Sequence, residues 1–141
     1  MTTDPLRIVI FGAGSVGCYL GGRLLSAGAD VVMVGRPRLQ AVLQHTPLVV
    51  TDYLGFRAGC QLAEHRYVTS ADVAAGADLI LVTVKSAATR EAGEQLAPWV
   101  AKGTPVVSLQ NGISNAAQLQ SAMPGATVLA GMVPFNVLQQ Q

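Results

Sequence analysis

The stretch that decides the fold is Leu6-Arg7-Ile8-Val9-Ile10-Phe11-Gly12-Ala13-Gly14-Ser15-Val16-Gly17. Its first half is an apolar run broken only by Arg7, the pattern of a strand buried on both faces. Its second half is a G-x-G-x-x-G that follows this strand at once and opens a helical pattern, which is the context the motif requires. The roles follow from missing side chains: Gly12 permits a tight turn, Gly14 lets backbone approach a pyrophosphate, and Gly17 lets a helix lie close to the strand. Amides at the helix start carry about half a positive charge from the macrodipole and suit phosphate groups. The plainer alternative is a glycine turn that only packs a helix on a strand; the motif's position between strand and helix favours the nucleotide.

Outward from this loop, apolar runs alternate with Ala-rich helical stretches, the signature of strand-helix-strand units. Val16, Leu20, Leu24 and Ala27 recur at helical spacing, with Gly17 and Gly21 forming a flat side, and Gly28 supplies the left-handed stop. Residues 30–34 read as the second strand and 38–44 as a short helix. Leu48-Val49-Val50-Thr51 and Phe56-Arg57 flank Asp52-Tyr53-Leu54-Gly55, so residues 48–58 predict an inserted hairpin. Further strands are expected at 67–69, 78–84, 105–109 and 127–133. Ser70 caps a helical turn, Ser86 caps a helix running to Leu96 before Pro98, and residues 115–122 form a helix stopped by Pro124-Gly125. The expected class is α/β: a Rossmann-type, doubly wound, mostly parallel sheet carrying an inserted β-hairpin.

Composition bounds the function. In 141 residues, half of them hydrophobic, one domain with a sizeable core is expected. Only 12% are charged and the net charge is +1, so no broad field is available for nucleic acid or an anionic membrane. Apolar runs such as residues 79–82 are far shorter than the ~20 needed to cross a bilayer, and residues 1–7 lack the layout of a signal peptide. A cytoplasmic location is expected. Cys18 and Cys60 read as buried unpaired thiols, His45 and His65 receive no role, and no metal site is expected.

The second strand ends Met33-Val34-Gly35-Arg36, with Arg38 two residues on. An NAD site presents a carboxylate there, about 20 residues past the glycines, and none is in place. Arg36, ahead of Arg38, can instead pair with the 2′-phosphate of NADP, a charge-assisted bond worth roughly 1.5–3 kcal/mol. That difference is about ten- to a hundredfold in affinity; the alternative is a solvated surface arginine. Ligands of doubly wound sheets sit outside the carboxyl ends of the strands. There Val82-Thr83-Val84 delivers Lys85, able to neutralise phosphate or carboxylate, and Val106-Val107-Ser108-Leu109 delivers Gln110-Asn111-Gly112, whose amides can bond a nicotinamide ribose or a substrate hydroxyl. An exposed lysine and an Asn-Gly turn are the alternatives.

Taken together, Gly12-Ala13-Gly14-Ser15-Val16-Gly17, Val34-Gly35-Arg36, Val82-Thr83-Val84-Lys85 and Gln110-Asn111-Gly112 resemble, in order and spacing, the N-terminal domain of the ketopantoate reductase (2-dehydropantoate 2-reductase) family. The resemblance implies NADPH-dependent reduction of 2-dehydropantoate to pantoate, in pantothenate biosynthesis. It implies that the loop of Gly12, Ala13, Gly14, Ser15, Val16 and Gly17 binds the pyrophosphate and that Arg36 binds the 2′-phosphate. It further implies that Lys85 lies against the cofactor, that Asn111 contacts both cofactor and substrate, and that backbone near Asn136 and Val137 approaches the nicotinamide. The family places its general-acid lysine and a substrate-holding glutamate in a helical second domain, for which this chain has no room. Residues 1–135 are therefore expected to be the NADP-binding domain and 136–141 the stump of a connection to the other. Lys85 is read as binding first and catalytic second. The expected partner is a small-molecule 2-keto acid, with neither nucleic acid nor membrane, and a homodimer is the candidate assembly. Reduction of another 2-keto acid and a non-catalytic NADP-sensing module are the competing functions.

Overall fold

Apolar strands of this kind need cover on both faces, and the computed structural model, which describes residues 6–110, 114–131 and 137, provides it. Along the chain the elements are β1 (Arg7–Phe11), α1 (Ser15–Ser26), β2 (Asp30–Val34), α2 (Pro37–His45), β3 (Leu48–Thr51) and β4 (Arg57–Cys60). There follow β5 (Tyr67–Val68), β6 (Leu79–Val82), α3 (Thr89–Leu96), β7 (Pro105–Ser108), α4 (Asn115–Ala122) and β8 (Thr127–Ala130). Six strands form one sheet in the order β5-β2-β1-β6-β7-β8. Every pairing in it is parallel, and Val68, Val34, Phe11, Val82, Ser108 and Ala130 align across its carboxyl edge. The fold is thus the expected doubly wound Rossmann type, and strand order reverses between β1 and β6.

Alternation along the strands sorts the core. Val9, Phe11, Ile80, Val82 and Val106 face one side, where Ala92 and Leu96 of α3 and Leu119 of α4 cover them. Ile10, Val31 and Met33 face the other, under Cys18 of α1 and Leu43 of α2. Full burial of each such aliphatic side chain contributes about 1.5–3 kcal/mol. A side chain at Gly17 would press on Ile10 and Thr83, and one at Gly21 on Met33, so the flat side of α1 is what brings it down on the sheet. The expected hairpin is the antiparallel pair β3 and β4, which packs on α1 where Gly22 admits Val50 and Leu48. Asp52 accepts from the Leu54 and Phe56 amides to shape its tip, and its other oxygen meets Arg23, whose guanidinium lies 3.8 Å from the Phe56 ring centre.

The bounds of α2, β4, β5 and β7 differ from the sequence expectation by one or two residues, and three other boundaries differ in ways that bear on the site. β6 stops at Val82 because its partner β1 gives way to the glycine turn after Phe11; the Thr83 amide still donates to Phe11 O (2.9 Å) as the last rung of the ladder, and its hydroxyl donates to Gly12 O (3.0 Å). Ser86 does not cap α3: it opens a short 3-10 turn, Ser86–Ala88, Ala88 precedes the helix, and the Ser86 hydroxyl accepts from Asn115 Nδ2 at 3.1 Å. β8 ends at Ala130, and residues 132 and 133 lie outside the described residues. Cys60 is only half-buried, unlike Cys18, and both thiols are free.

The glycine turn is the most constrained part of this frame. Gly12 has φ +90°, and a Cβ there would stand inside the Val84 side chain and 2.8 Å from its amide nitrogen. Gly28, also left-handed at φ +88°, faces open space. Left-handed backbone costs an L-residue about 1–2 kcal/mol, so Gly28→Ala is expected to lose roughly that much stability, and Gly12→Ala distinctly more, about 2–4 kcal/mol with the clash added. Urea denaturation of both variants checks the ranking.

Candidate functional site at the carboxyl edge

Because all six strands run parallel, the turns after β1, β2, β6 and β7 emerge at one edge of the sheet. They bring the glycine loop, Arg36, Lys85 and Gln110 to that edge, and the glycine loop and Lys85 follow the two strands, β1 and β6, between which strand order reverses. Crevices at such reversal points are where doubly wound sheets hold ligands.

The loop is tied down from beneath. Gly12 and Ala13 both donate to Val34 O, at 2.9 and 2.8 Å, and the Gly14 amide donates to Gly12 O at 2.7 Å. Gly12 O also accepts from the Thr83 hydroxyl, while Ala13 O accepts from the Tyr67 hydroxyl at 2.8 Å and the Cys18 thiol at 3.4 Å. The opposite side of the turn is open. A Cβ on Gly14 would meet nothing within 4 Å, and no side chain caps α1, whose first intrahelical bond from beyond the turn is Cys18 N to Gly14 O. The amides of Ser15, Val16 and Gly17 therefore point out of the helix start without an intrahelical acceptor. Partial positive charge with open space before it fits a phosphate or diphosphate group.

Arg36 precedes α2 in extended conformation (φ −84°, ψ 151°), and both it and Arg38 are exposed. Among the described residues neither has a carboxylate partner; the acidic side chains that do pair, Asp30, Asp52 and Glu94, meet Arg66, Arg23 and Arg90. Lys85 is exposed a short turn beyond β6, which ends at Val82, and is also in extended conformation. Its neighbours are held by a buried polar chain that the sequence did not reveal. Gln110 donates to Val84 O (3.0 Å) and to the Thr89 hydroxyl (2.7 Å), and accepts from Ser108 Oγ (2.8 Å). Thr89 in turn donates to Asn115 Oδ1 (2.8 Å), and Asn115 reaches Ser86. The Gln110 side chain thus has both amide hydrogens engaged inside the protein and holds the strand ends that present Lys85. Asn111 and Asn136 lie outside the described residues; Val137 is half-buried.

Sequence reasoning also missed Tyr67, Thr83 and Cys18 as supports of the loop. The only available signal was polarity inside otherwise apolar runs, at Thr83 and Ser108.

The fold and this edge define an α/β protein of the Rossmann class. A family model for ketopantoate reductase PanE/ApbA matches residues 8–141, and the chain belongs to that family of oxidoreductases. The chain is 34% identical over 131 residues to the 2-dehydropantoate 2-reductase of Halobacterium salinarum, covering 89% of this chain and 41% of that protein. It is 32% identical over 129 residues to a glycerol-3-phosphate dehydrogenase [NAD(P)+] of Streptomyces coelicolor, covering 90% and 36%. The PanE/ApbA family ketopantoate reductase from Ralstonia eutropha JMP134 superposes with a TM-score of 0.79 at 35% identity, over 89% of this chain and 40% of that one. The chain thus spans about two-fifths of the length of such relatives.

Burial of Cys18 pushes its thiol up from 9.0 to about 11. The folded chain then keeps a proton that the unfolded chain releases, so stability is unaffected at neutral pH and falls as pH rises from about 9 to about 11. Burial also raises the Tyr67 phenol, which adds to the loss at the upper end of this range. Two units correspond to about 3 kcal/mol. Urea denaturation at pH 8 and pH 10.5 is expected to show most of this loss in the native chain and a clearly smaller one in Cys18→Ala.

Proposed function

We propose that these residues form the NADP(H)-binding half of a 2-dehydropantoate 2-reductase. The observation that carries the reading is the uncapped start of α1 behind an open Gly14, with Arg36, which has no carboxylate partner among the described residues, at the same sheet edge. The family and the reductase relatives support the reaction, and the glycerol-3-phosphate dehydrogenase relative, named for NAD(P)+, supports the class of cofactor.

In this reading the amides of Ser15, Val16 and Gly17 bind the diphosphate, and the Arg36 guanidinium pairs with the 2′-phosphate. Lys85 supplies positive charge beside the reversal point, where it neutralises a phosphate or the carboxylate of a 2-keto acid. Gln110 keeps Lys85 in place, and Asn111, by resemblance to the family, contacts both cofactor and substrate. The bound dinucleotide supplies the hydride. The keto oxygen needs a positioned proton donor shielded from water. By the same resemblance that donor is a lysine of a helical second domain, so we assign reduction to the whole protein and cofactor capture to these residues. The breadth of relatives, from 2-dehydropantoate 2-reductase to glycerol-3-phosphate dehydrogenase, supports reduction of another 2-keto acid as the second reading.

Arg36→Ala is expected to weaken NADPH binding by about ten- to a hundredfold while leaving NADH binding nearly unchanged, as measured by fluorescence titration; equal losses refute the role given to Arg36. In the same series, the whole protein is expected to oxidise NADPH with 2-dehydropantoate and these 141 residues alone are not.

A further inference from the structure

Gly35 is the first residue beyond β2, where NAD sites carry the carboxylate that accepts from the ribose hydroxyls. Its lack of a side chain has a cause in the core. A Cβ built on Gly35 would overlap the Tyr67 hydroxyl and stand 2.7 Å from Cζ of that ring and 3.2 Å from the Ala13 carbonyl oxygen.

Tyr67 is held where it stands. It is 3% exposed, packed in the cluster that contains Met33, Leu43 and Leu62, and its backbone is in register with Met33 across the β2–β5 pairing. Its hydroxyl is committed to Ala13 O at 2.8 Å. Nor can Gly35 move away, because its amide donates to Val68 O at 2.9 Å, fixing it to the strand that carries Tyr67.

We propose that Tyr67 determines dinucleotide choice: its hydroxyl fills the place a side chain at position 35 needs, so no carboxylate can stand at the end of β2 and ribose recognition falls to Arg36. The proposal rests on the NADP(H) reading above. The excluded side chain would start against the Tyr67 hydroxyl, 3.2 Å from the Ala13 carbonyl oxygen of the glycine loop; a carboxylate at that strand end would accept from a free 2′-hydroxyl and repel a 2′-phosphate. Excluding it therefore withholds a hydrogen bond from NADH and removes a like charge from NADPH. One buried phenol performs two tasks, bracing the loop through Ala13 and keeping the adjacent strand end bare.

The test compares native chain, Gly35→Asp, Tyr67→Leu and the double variant by thermal denaturation without nucleotide and by titration with NADPH and NADH. Gly35→Asp is expected to lower Tm in the native background and far less beside Tyr67→Leu. The double variant is expected to gain about tenfold in NADH affinity and lose at least about tenfold in NADPH affinity, one charge-assisted bond in each direction. Equal Tm losses in both backgrounds, or a gain in NADH affinity with Tyr67 intact, overturn the proposal. Should the double variant not fold, Gly35→Ala replaces Gly35→Asp in the Tm comparison: a loss confined to the native background is expected, and equal losses overturn the proposal. A native chain that binds neither nucleotide, or both equally, overturns the NADP(H) reading and this one with it. An intact NADPH preference with equal Tm losses overturns this one alone.

Discussion

The structure depends on one chain reversal, the turn at Gly12 between β1 and α1. There the backbone adopts a left-handed conformation against Val84, leaving no room for a side chain, and two successive amides converge on Val34 O. That convergence welds the turn to the end of β2, and the Thr83 and Tyr67 hydroxyls weld its carbonyls to β6 and β5. With every inward group of the turn engaged, the amides that remain are those at the start of α1, facing out. A binding edge rigid before its ligand arrives avoids the cost of ordering it on association. Rigidity here is a property of hydrogen bonds beneath the loop, and openness a property of Gly14 above it.

Charge plays little part in holding the fold. The three ion pairs among the described residues are partly or largely exposed. Exposed pairs contribute about 0–1 kcal/mol each, against about 1.5–3 kcal/mol for each aliphatic side chain buried along β1, β2 and β6. A sheet stabilised by apolar burial can leave its edge cations uncommitted. Arg36 and Lys85 have no carboxylate partner among the described residues, and both stand exposed beyond the carboxyl ends of their strands.

What could be read from the sequence was whatever is encoded over a few residues. The glycine loop, the left-handed stop at Gly28, the strand of β2 and the helix of α4 all sit where local spacing and punctuation put them. The hairpin was legible because two β-rich runs flank a polar, Gly-containing turn. Its packing on α1 was not, since that depends on Gly22 meeting Val50 and Leu48 in space. The supports of the site were illegible for the same reason. Tyr67 lies 54 residues from Ala13, and Gln110 is 21 from Thr89; only the register of the sheet makes them neighbours. The end of β6 was misjudged because Thr83 and Val84 have good strand character, yet their neighbour strand β1 ends at Phe11, where the glycine turn begins.

Gln110 shows how a polar residue at a strand end can serve a site without facing it. Left unpaired, its buried amide would cost about 1–3 kcal/mol for each unmet group. Its bonds to Val84 O, Thr89 and Ser108 meet that demand, and Thr89 extends the chain to Asn115 and Ser86. Val84 and Ser86 flank Lys85, so both backbone neighbours of the exposed lysine are anchored to one satisfied network. Such networks favour a single arrangement, because any alternative leaves several partners unpaired at once. The lysine side chain remains free to meet an anion, while the backbone that aims it is held at the reversal point beside the glycine loop.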